Sequence, residues 1–160
     1  MALRCVIDSM VFDAIAADPP LLADVDRLTS ARRLELLAAA ETMIEIGATP
    51  DRARRRQLQR VRVLVVPPAD ADDPATRRTL ARLRDGPGVS DEDASIAVAA
   101  AVRGVPLVTE DRDLRRAVAT ELPDVALWTW STDLRPRIVA LGEAHPAPVA
   151  RRRARRGAGT

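Results

Sequence analysis

The sequence predicts an α/β fold, a three-layer sandwich in which helices cover both faces of a mostly parallel central sheet. Short apolar runs alternate along the chain with longer segments whose apolar residues recur at helical spacing, an order that is typical of βαβ units. Hydrophobic residues make up 47% of the chain but aromatic residues only 2%, so the core must consist mainly of Ala, Val, Leu and Ile. Side chains of this size suit helices packed on a sheet.

Several short segments are strand candidates because they are largely apolar or β-branched. Strands are predicted at residues 3–7, 61–66, 106–109 and 125–129. Residues 34–38 are compatible with a further strand or with the start of a helix. In an open parallel sheet the ligand crevice lies beyond the carboxyl ends of the strands, so residues that directly follow a strand are candidates for a functional site.

The segments between the strands have helical patterns. Helices are predicted at residues 13–17, 20–28, 42–46, 51–60, 74–84, 90–103 and 111–119. The clearest is 90–103, where Ser90 and Asp93 have the spacing of a capping box and Gly104 supplies a stop. The triplet Gly86-Pro87-Gly88 ahead of it ends the preceding helix.

The length of 160 residues suits one compact domain and is too short for two of ordinary size. We expect the domain at residues 1–133 and a C-terminal extension at 134–160, with a disordered Arg-rich tail from His145 onward. The sequence shows neither a membrane-spanning apolar run nor a signal-peptide pattern, so we expect a cytoplasmic protein without membrane contact. The chain contains no lysine, and its formal net charge is +2.

Three aspartates stand where a site is expected. Asp8 and Asp111 closely follow the first and fourth predicted strands, so both should face one crevice if those strands are parallel neighbours. On its helix Asp93 begins an apolar stripe that continues through Ile96 and Ala97, so its carboxylate should face the core or a cleft. A carboxylate in that position needs a compensating partner, either a helix N-terminus or a bound cation.

Three segments resemble a known family. They are Cys5-Val6-Ile7-Asp8-Ser9, the run Asp93-Ala94-Ser95-Ile96-Ala97-Val98-Ala99-Ala100, and Leu107-Val108-Thr109-Glu110-Asp111-Arg112-Asp113-Leu114. These resemble the three acidic motifs of PIN domains, and the step from Asp93 to Asp111 is similar to that of VapC-type toxins. The resemblance covers about the first 130 residues. It implies a PIN-like fold and a metal-dependent ribonuclease.

The family's remaining acid is a glutamate in the helix after the second strand. Glu41 and Glu45 both qualify, and we favour Glu45 because its distance from the break that begins at Gly47 looks like the family's placement. With Asp8, Asp93 and Asp111 it would form the catalytic and metal-binding set. Clustered carboxylates raise one another's pKa, and an all-oxygen shell of this kind suits Mg²⁺ or Mn²⁺.

Supporting roles are predicted near the third motif. The Thr109 hydroxyl is expected to hold Asp111 in place by a hydrogen bond. The charges of Asp113, Asp91 and Glu92 are expected to contribute to the local electrostatic field. Arginines are expected to contact RNA phosphates without reading sequence; those predicted to do so are Arg54, Arg55, Arg112, Arg115 and Arg116. For the first of these clusters a solvated helix face is an equal alternative.

The resemblance also implies partners. PIN toxins commonly dimerise and are held inactive by an antitoxin, whose basic side chain would fit an acidic crevice. Leu21, Leu22 and Leu28 on the first helices are candidates for docking such a partner, unless the sheet buries them.

Three alternative functions fit parts of this pattern. One is a PIN-domain RNA-processing nuclease without an antitoxin, and another is a non-catalytic PIN-like scaffold, which the presence of all four acids disfavours. A Mg²⁺-binding receiver-like or phosphatase-like domain ordinarily uses a lysine to neutralise phosphoryl oxygens, and this chain has none.

Overall fold

The computed structural model describes residues 1–149 and contains one parallel five-stranded sheet. Its strands are β1 Leu3–Ile7, β2 Leu34–Ala39, β3 Leu64–Val66, β4 Leu107–Val108 and β5 Leu127–Trp128. They lie in the order β3-β2-β1-β4-β5, and every neighbouring pair is parallel. The predicted fold class is therefore confirmed. The segment left open between strand and helix is the strand β2, whose residues are almost all buried.

Helices connect the strands and cover both faces of the sheet. Within residues 1–149 they are α1 Ser9–Ala16, α2 Pro19–Ser30, α3 Ala40–Gly47, α4 Arg52–Leu58, α5 Pro74–Arg84, α6 Asp91–Arg103, α7 Arg112–Glu121 and α8 Arg135–Ala144, with a π-helical turn at Trp130–Leu134. The predicted capping box of α6 is present, and Gly104 ends that helix in the left-handed conformation, with φ of 60°.

The core is divided into two halves by the sheet. Successive side chains of a strand point to opposite faces, so Cys5 and Ile7 of β1 belong to one buried cluster and Val6 belongs to the other. The first cluster includes residues of α1, α2, α4 and α8, and the second includes residues of α5, α6 and α7. The helices thus form two layers around the sheet.

Several predicted boundaries differ from the structure. The strand predicted at 61–66 begins only at Leu64, because the Val61 N–H donates to the Leu58 carbonyl in the turn that ends α4. The predicted strands at 106–109 and 125–129 shorten to two residues each. The first helix begins earlier than predicted, at Ser9, directly after its N-cap Asp8.

The chain after residue 133 continues in regular structure. Leu134 and Ile138 are both 0% exposed and belong to the first core cluster. Helix α8 packs on α2, where Gly142 lies close to the carboxylate of Asp24. The division at residue 133 stays a prediction, but the first part of the extension packs with the core. Of the predicted Arg-rich tail, residues 145–149 are described, and the rest, with all of its arginines, lies outside the described residues.

The sheet order fixes where a site can lie. From β1 the chain proceeds to β2 and β3 on one side, and β4 and β5 lie on the other side. Ligands in open α/β sheets bind at the carboxyl end of the sheet where the strand order reverses in this way. That point lies between β1 and β4.

Two further expectations concern surfaces. Leu21 and Leu28 are buried under the sheet, and Leu22 is half-buried. The prediction that these leucines dock a partner is therefore wrong for Leu21 and Leu28. Across residues 1–149, no helix combines the length and apolar character that crossing a membrane requires.

Replacing Ile138 with Ala should lower the free energy of unfolding by roughly 2–5 kcal/mol, because its side chain is fully buried in the first core cluster. Ile44→Ala is the matched control, since Ile44 on α3 is 72% exposed and its loss should change stability by no more than about 0.5 kcal/mol. Urea unfolding followed by circular dichroism measures both variants. Equally small losses would show that α8 is not part of the cooperative core.

Candidate metal-binding active site

An open cavity of about 450 Å³ lies at the reversal point of the sheet. Its lining carries six acidic side chains and no basic one among the residues that the structure describes; it consists of Asp8, Ser9, Met10, Glu45, Ser90, Glu92, Asp93, Glu110 and Asp111. The structure therefore brings together all four acids predicted from the sequence. They come from four different segments of the chain.

Asp8 is the most enclosed of these acids, at 8% exposed. It is the N-cap of α1, and its Oδ1 accepts a hydrogen bond from the Ser9 N–H at 2.6 Å. Its Oδ2 accepts one from the Thr109 hydroxyl at 2.7 Å. Burial raises the pKa of Asp8, and the nearby charge of Asp93 adds to this rise, whereas the hydrogen bonds from Thr109 and Ser9 oppose it.

Thr109 connects two of the acids. It is 0% exposed, and its hydroxyl donates to Asp8 while accepting the backbone N–H of Asp111 at 3.1 Å. Asp111 is in turn the N-cap of α7, where its Oδ1 accepts the N–H groups of Asp113 at 2.9 Å and Leu114 at 3.0 Å. The sequence predicted a Thr109 brace for Asp111. The structure shows that hydrogen bond and a second one to Asp8.

Asp93 takes part in the capping box of α6. Its Oδ2 accepts the Ser90 N–H at 2.9 Å, while the Ser90 hydroxyl accepts the Asp93 N–H at 3.1 Å. The same carboxylate lines the acidic cavity. The structural role and the placement in the cavity are thus compatible, because the capping box engages one oxygen of Asp93.

The two candidate glutamates of α3 lie in different places. Glu45 lines the acidic cavity with Asp8, Asp93 and Asp111. Glu41 lines another cavity, which is formed by residues of α3, α5, α6 and the segment after β3. This placement supports the choice of Glu45 over Glu41.

Two acids of the cavity were not predicted as site residues. Glu92 lies beside Glu45, and burial together with the Glu45 carboxylate raises the pKa of Glu92 to about 8, against a smaller opposing effect of the Thr42 hydroxyl. Glu110 accepts the backbone N–H of Trp130 at 2.9 Å and so connects the cavity to the π-helical turn. No local sequence pattern identifies Glu92, because its partial burial arises from the packing of α3 on α6.

Most of the arginines predicted to bind RNA make contacts within the protein. Arg115 is half-buried and donates to the carbonyls of Thr109 and Trp128, at 3.0 and 3.1 Å. Its guanidinium therefore holds the ends of β4 and β5 together. Arg112, by contrast, is exposed.

The remaining three arginines each have a partner. Arg54 is paired with Asp13 at 3.1 Å, and Arg55 donates to the Thr49 carbonyl at 3.0 Å. Arg116 is 71% exposed and lies 3.5 Å from Asp113. Pairs this exposed are weak and are screened by salt, so Arg54 and Arg116 remain free to exchange partners.

Known proteins share this fold. The chain is similar to PAE2754 from Pyrobaculum aerophilum, with 25% sequence identity, coverage of 88% of this chain and 92% of that chain, and a TM-score of 0.56. It is also similar to VapBC2 from Rickettsia felis, solved with a DNA fragment from its promoter, with 13% identity, coverage of 81% and 100%, and a TM-score of 0.55. No curated protein matches the chain in sequence.

A family model agrees with these similarities. The model described as PIN domain matches residues 5–119, a stretch that begins in β1, ends in α7 and contains Asp8, Glu45, Asp93 and Asp111. Because this match spans more than half of the chain, the protein belongs to the PIN-domain family, whose members are generally nucleases.

Proposed function

We propose that this chain is a Mg²⁺- or Mn²⁺-dependent endoribonuclease that cleaves RNA phosphodiester bonds, and that it is the toxin of a type II toxin–antitoxin pair. The observation that carries the nuclease proposal is the acidic cavity at the reversal point of the sheet, where six carboxylic side chains meet without a basic one among the described lining residues. The negative charge of these carboxylates would repel an RNA phosphate unless a bound cation lay between them.

The donor set fits a hard divalent cation. Its atoms are carboxylate and hydroxyl oxygens, which Mg²⁺ and Mn²⁺ prefer over nitrogen and sulfur. The raised pKa values of Asp8 and Glu92 show that the cavity disfavours full ionisation of its acids. Within residues 1–149, no three acidic, His or Cys side chains converge into a ready-made metal cage. Binding through retained water molecules, which Mg²⁺ favours, is consistent with this.

Each acid has a proposed role. Asp8 and Asp93 hold the cation, Asp111 completes its shell directly or through water, and Glu45 orients the attacking water or helps to hold a second cation. When bound, the cation supplies charge neutralisation at the phosphodiester and makes a coordinated water more acidic. Thr109 keeps Asp8 and Asp111 in place through its two hydrogen bonds.

RNA contact is assigned to the arginines that the protein leaves accessible. Arg112 and Arg116 lie on the first turns of α7, next to Asp111, and both are exposed. They would provide phosphate contacts that position RNA without specifying its sequence. Arg115 is reassigned to a positioning role, because its guanidinium is engaged with two backbone carbonyls.

The toxin proposal extends to a protein partner. The similar R. felis structure contains a VapBC pair, and a guanidinium from such a partner would make charge-assisted bonds to the clustered carboxylates. Apolar side chains next to the acids suit the rest of that contact, since Met10 is 42% exposed on the cavity rim and Ile44, beside Glu45, is 72% exposed. The proposed partners are therefore an RNA substrate and a cognate antitoxin, and a homodimer, which the family resemblance implies, stays a prediction.

The purified chain should degrade total RNA with Mg²⁺ or Mn²⁺ and lose this activity in EDTA. Asp8→Asn should slow cleavage by at least about 100-fold. Loss of a residue that only orients a metal ligand can cost about this factor, and loss of the ligand itself should cost at least as much. Asp91→Asn is the control: Asp91 begins α6, two residues before Asp93, but its side chain is 87% exposed. Cleavage that persists in EDTA would rule out the metal mechanism.

The two glutamates of α3 should differ in their effect on turnover. Glu45→Gln should lower the rate constant by at least about tenfold, since its side chain lines the acidic cavity, whereas Glu41→Gln should leave it within about twofold. Single-turnover cleavage of a labelled RNA at saturating Mn²⁺ measures the rate. The reverse order would transfer the role to Glu41.

Expression of the chain alone should arrest growth, and co-expression with its genomic neighbour should restore growth. The Asp8→Asn form should be harmless, because it retains the surface but lacks the proposed catalytic carboxylate. Growth curves and co-purification of the neighbour are the measurements. Harmless expression of a chain that cleaves RNA in vitro would favour the alternative, an RNA-processing nuclease without an antitoxin.

A further inference from the structure

The triplet Gly86-Pro87-Gly88, between α5 and α6, lies against one face of α7. A Cβ atom placed on Gly88 would lie 2.8 Å from Cγ of Asp113 and closer still to Oδ2, and one placed on Gly86 would lie 3.3 Å from Cβ of Ala117. Asp113 and Ala117 are four residues apart and therefore share a helix face. The triplet thus does more than end α5, because both of its glycines allow the loop to approach α7 closely.

This approach occurs between two helix starts that carry acids of the site. Gly88 precedes by two residues Ser90, the N-cap of α6, which is hydrogen-bonded to Asp93 in both directions. Asp113 follows Asp111 by two residues, and its N–H donates to the Asp111 carboxylate. A displacement of the loop away from Asp113 would therefore move the start of α6 relative to the start of α7.

We propose that Gly88 and Asp113 are positioning residues, whose close contact sets the separation of Asp93 from Asp111 across the acidic cavity. The inference rests on the proposed function in so far as that separation matters for cation binding. Gly88 would act through its lack of a side chain and Asp113 through its volume. Neither residue would need to touch the cation.

A second glycine provides a matched control for backbone strain. Gly88 has φ of +77° and Gly104 has φ of +60°, so an alanine is strained at either position. A Cβ on Gly104 would meet nothing within 4 Å. A difference in Mn²⁺ affinity between Gly88→Ala and Gly104→Ala therefore measures the effect of the contact with Asp113, because the backbone strain is common to both variants.

The test is the affinity of the full chain for Mn²⁺, measured by isothermal titration calorimetry, with thermal unfolding as a check of folding. Gly88→Ala should weaken binding by at least about tenfold, the size of effect expected when a supporting residue moves a ligand. Gly104→Ala should stay within about twofold of the wild type.

Rescue distinguishes volume from charge. In the Gly88→Ala background, Asp113→Ala removes Oδ2 and Cγ, the two atoms closest to the new methyl group, and leaves Cβ of residue 113 at 3.1 Å from it. The Mn²⁺ affinity of this double variant should therefore lie within about threefold of that of Asp113→Ala alone. Asp113→Asn keeps the volume and should not rescue. Equal losses in the two glycine variants, or equal rescue by Ala and Asn, would overturn the proposal.

The same titrations keep this inference separate from the nuclease proposal. If the wild type binds Mn²⁺ but cleaves no RNA, the nuclease proposal fails, and the comparison of glycine variants still decides the spacing role. If the wild type binds no Mn²⁺, both the metal site and the spacing role are overturned.

Discussion

The geometry of the site depends on the two hydrogen bonds made by the Thr109 hydroxyl. Ile7 of β1 pairs with Val108 of β4, so the next residues along the two strands, Asp8 and Thr109, come to lie side by side. The hydroxyl donates to Asp8 and accepts from the backbone of Asp111. A parallel strand pair thereby fixes two carboxylates that are about a hundred residues apart in sequence, and both remain at the reversal point of the sheet.

Helix starts make this concentration of acids tolerable. Asp8 and Asp111 are N-caps of α1 and α7, and Asp93 lies in the capping box of α6, so the partial positive charge at three helix N-termini faces the carboxylates. Glu92 lies next to Glu45 and has a pKa raised to about 8. Backbone N–H groups thus stabilise the three aspartates, whereas no described hydrogen bond from a backbone N–H reaches the carboxylates of Glu45 and Glu92.

The parts of this arrangement that depend on local pattern could be predicted from the sequence. Asp8 and Asp111 were identified by their place after strands and Asp93 by its helical stripe, and all three line the cavity. Glu92 was not, because its burial depends on how α3 packs on α6. The helix of residues 135–144 was not predicted either, since only Ile138 and Gly142 are buried and the helix packs on the π-helical turn and on the distant α2.

In the described part of the chain, no cationic side chain lines the acidic cavity. Arg115 is the arginine nearest in sequence to Asp111 that turns inward, and its guanidinium is held by the carbonyls of Thr109 and Trp128. Both bonds come from Nη1 of Arg115. The Trp128 carbonyl also accepts the Thr109 N–H, so movement of Arg115 towards the carboxylates would cost chiefly its hydrogen bond to the Thr109 carbonyl. The chain contains no lysine, and within residues 1–149 no arginine lines the acidic cavity. Under the proposed function, a divalent cation and a partner's guanidinium would compete for the same carboxylates.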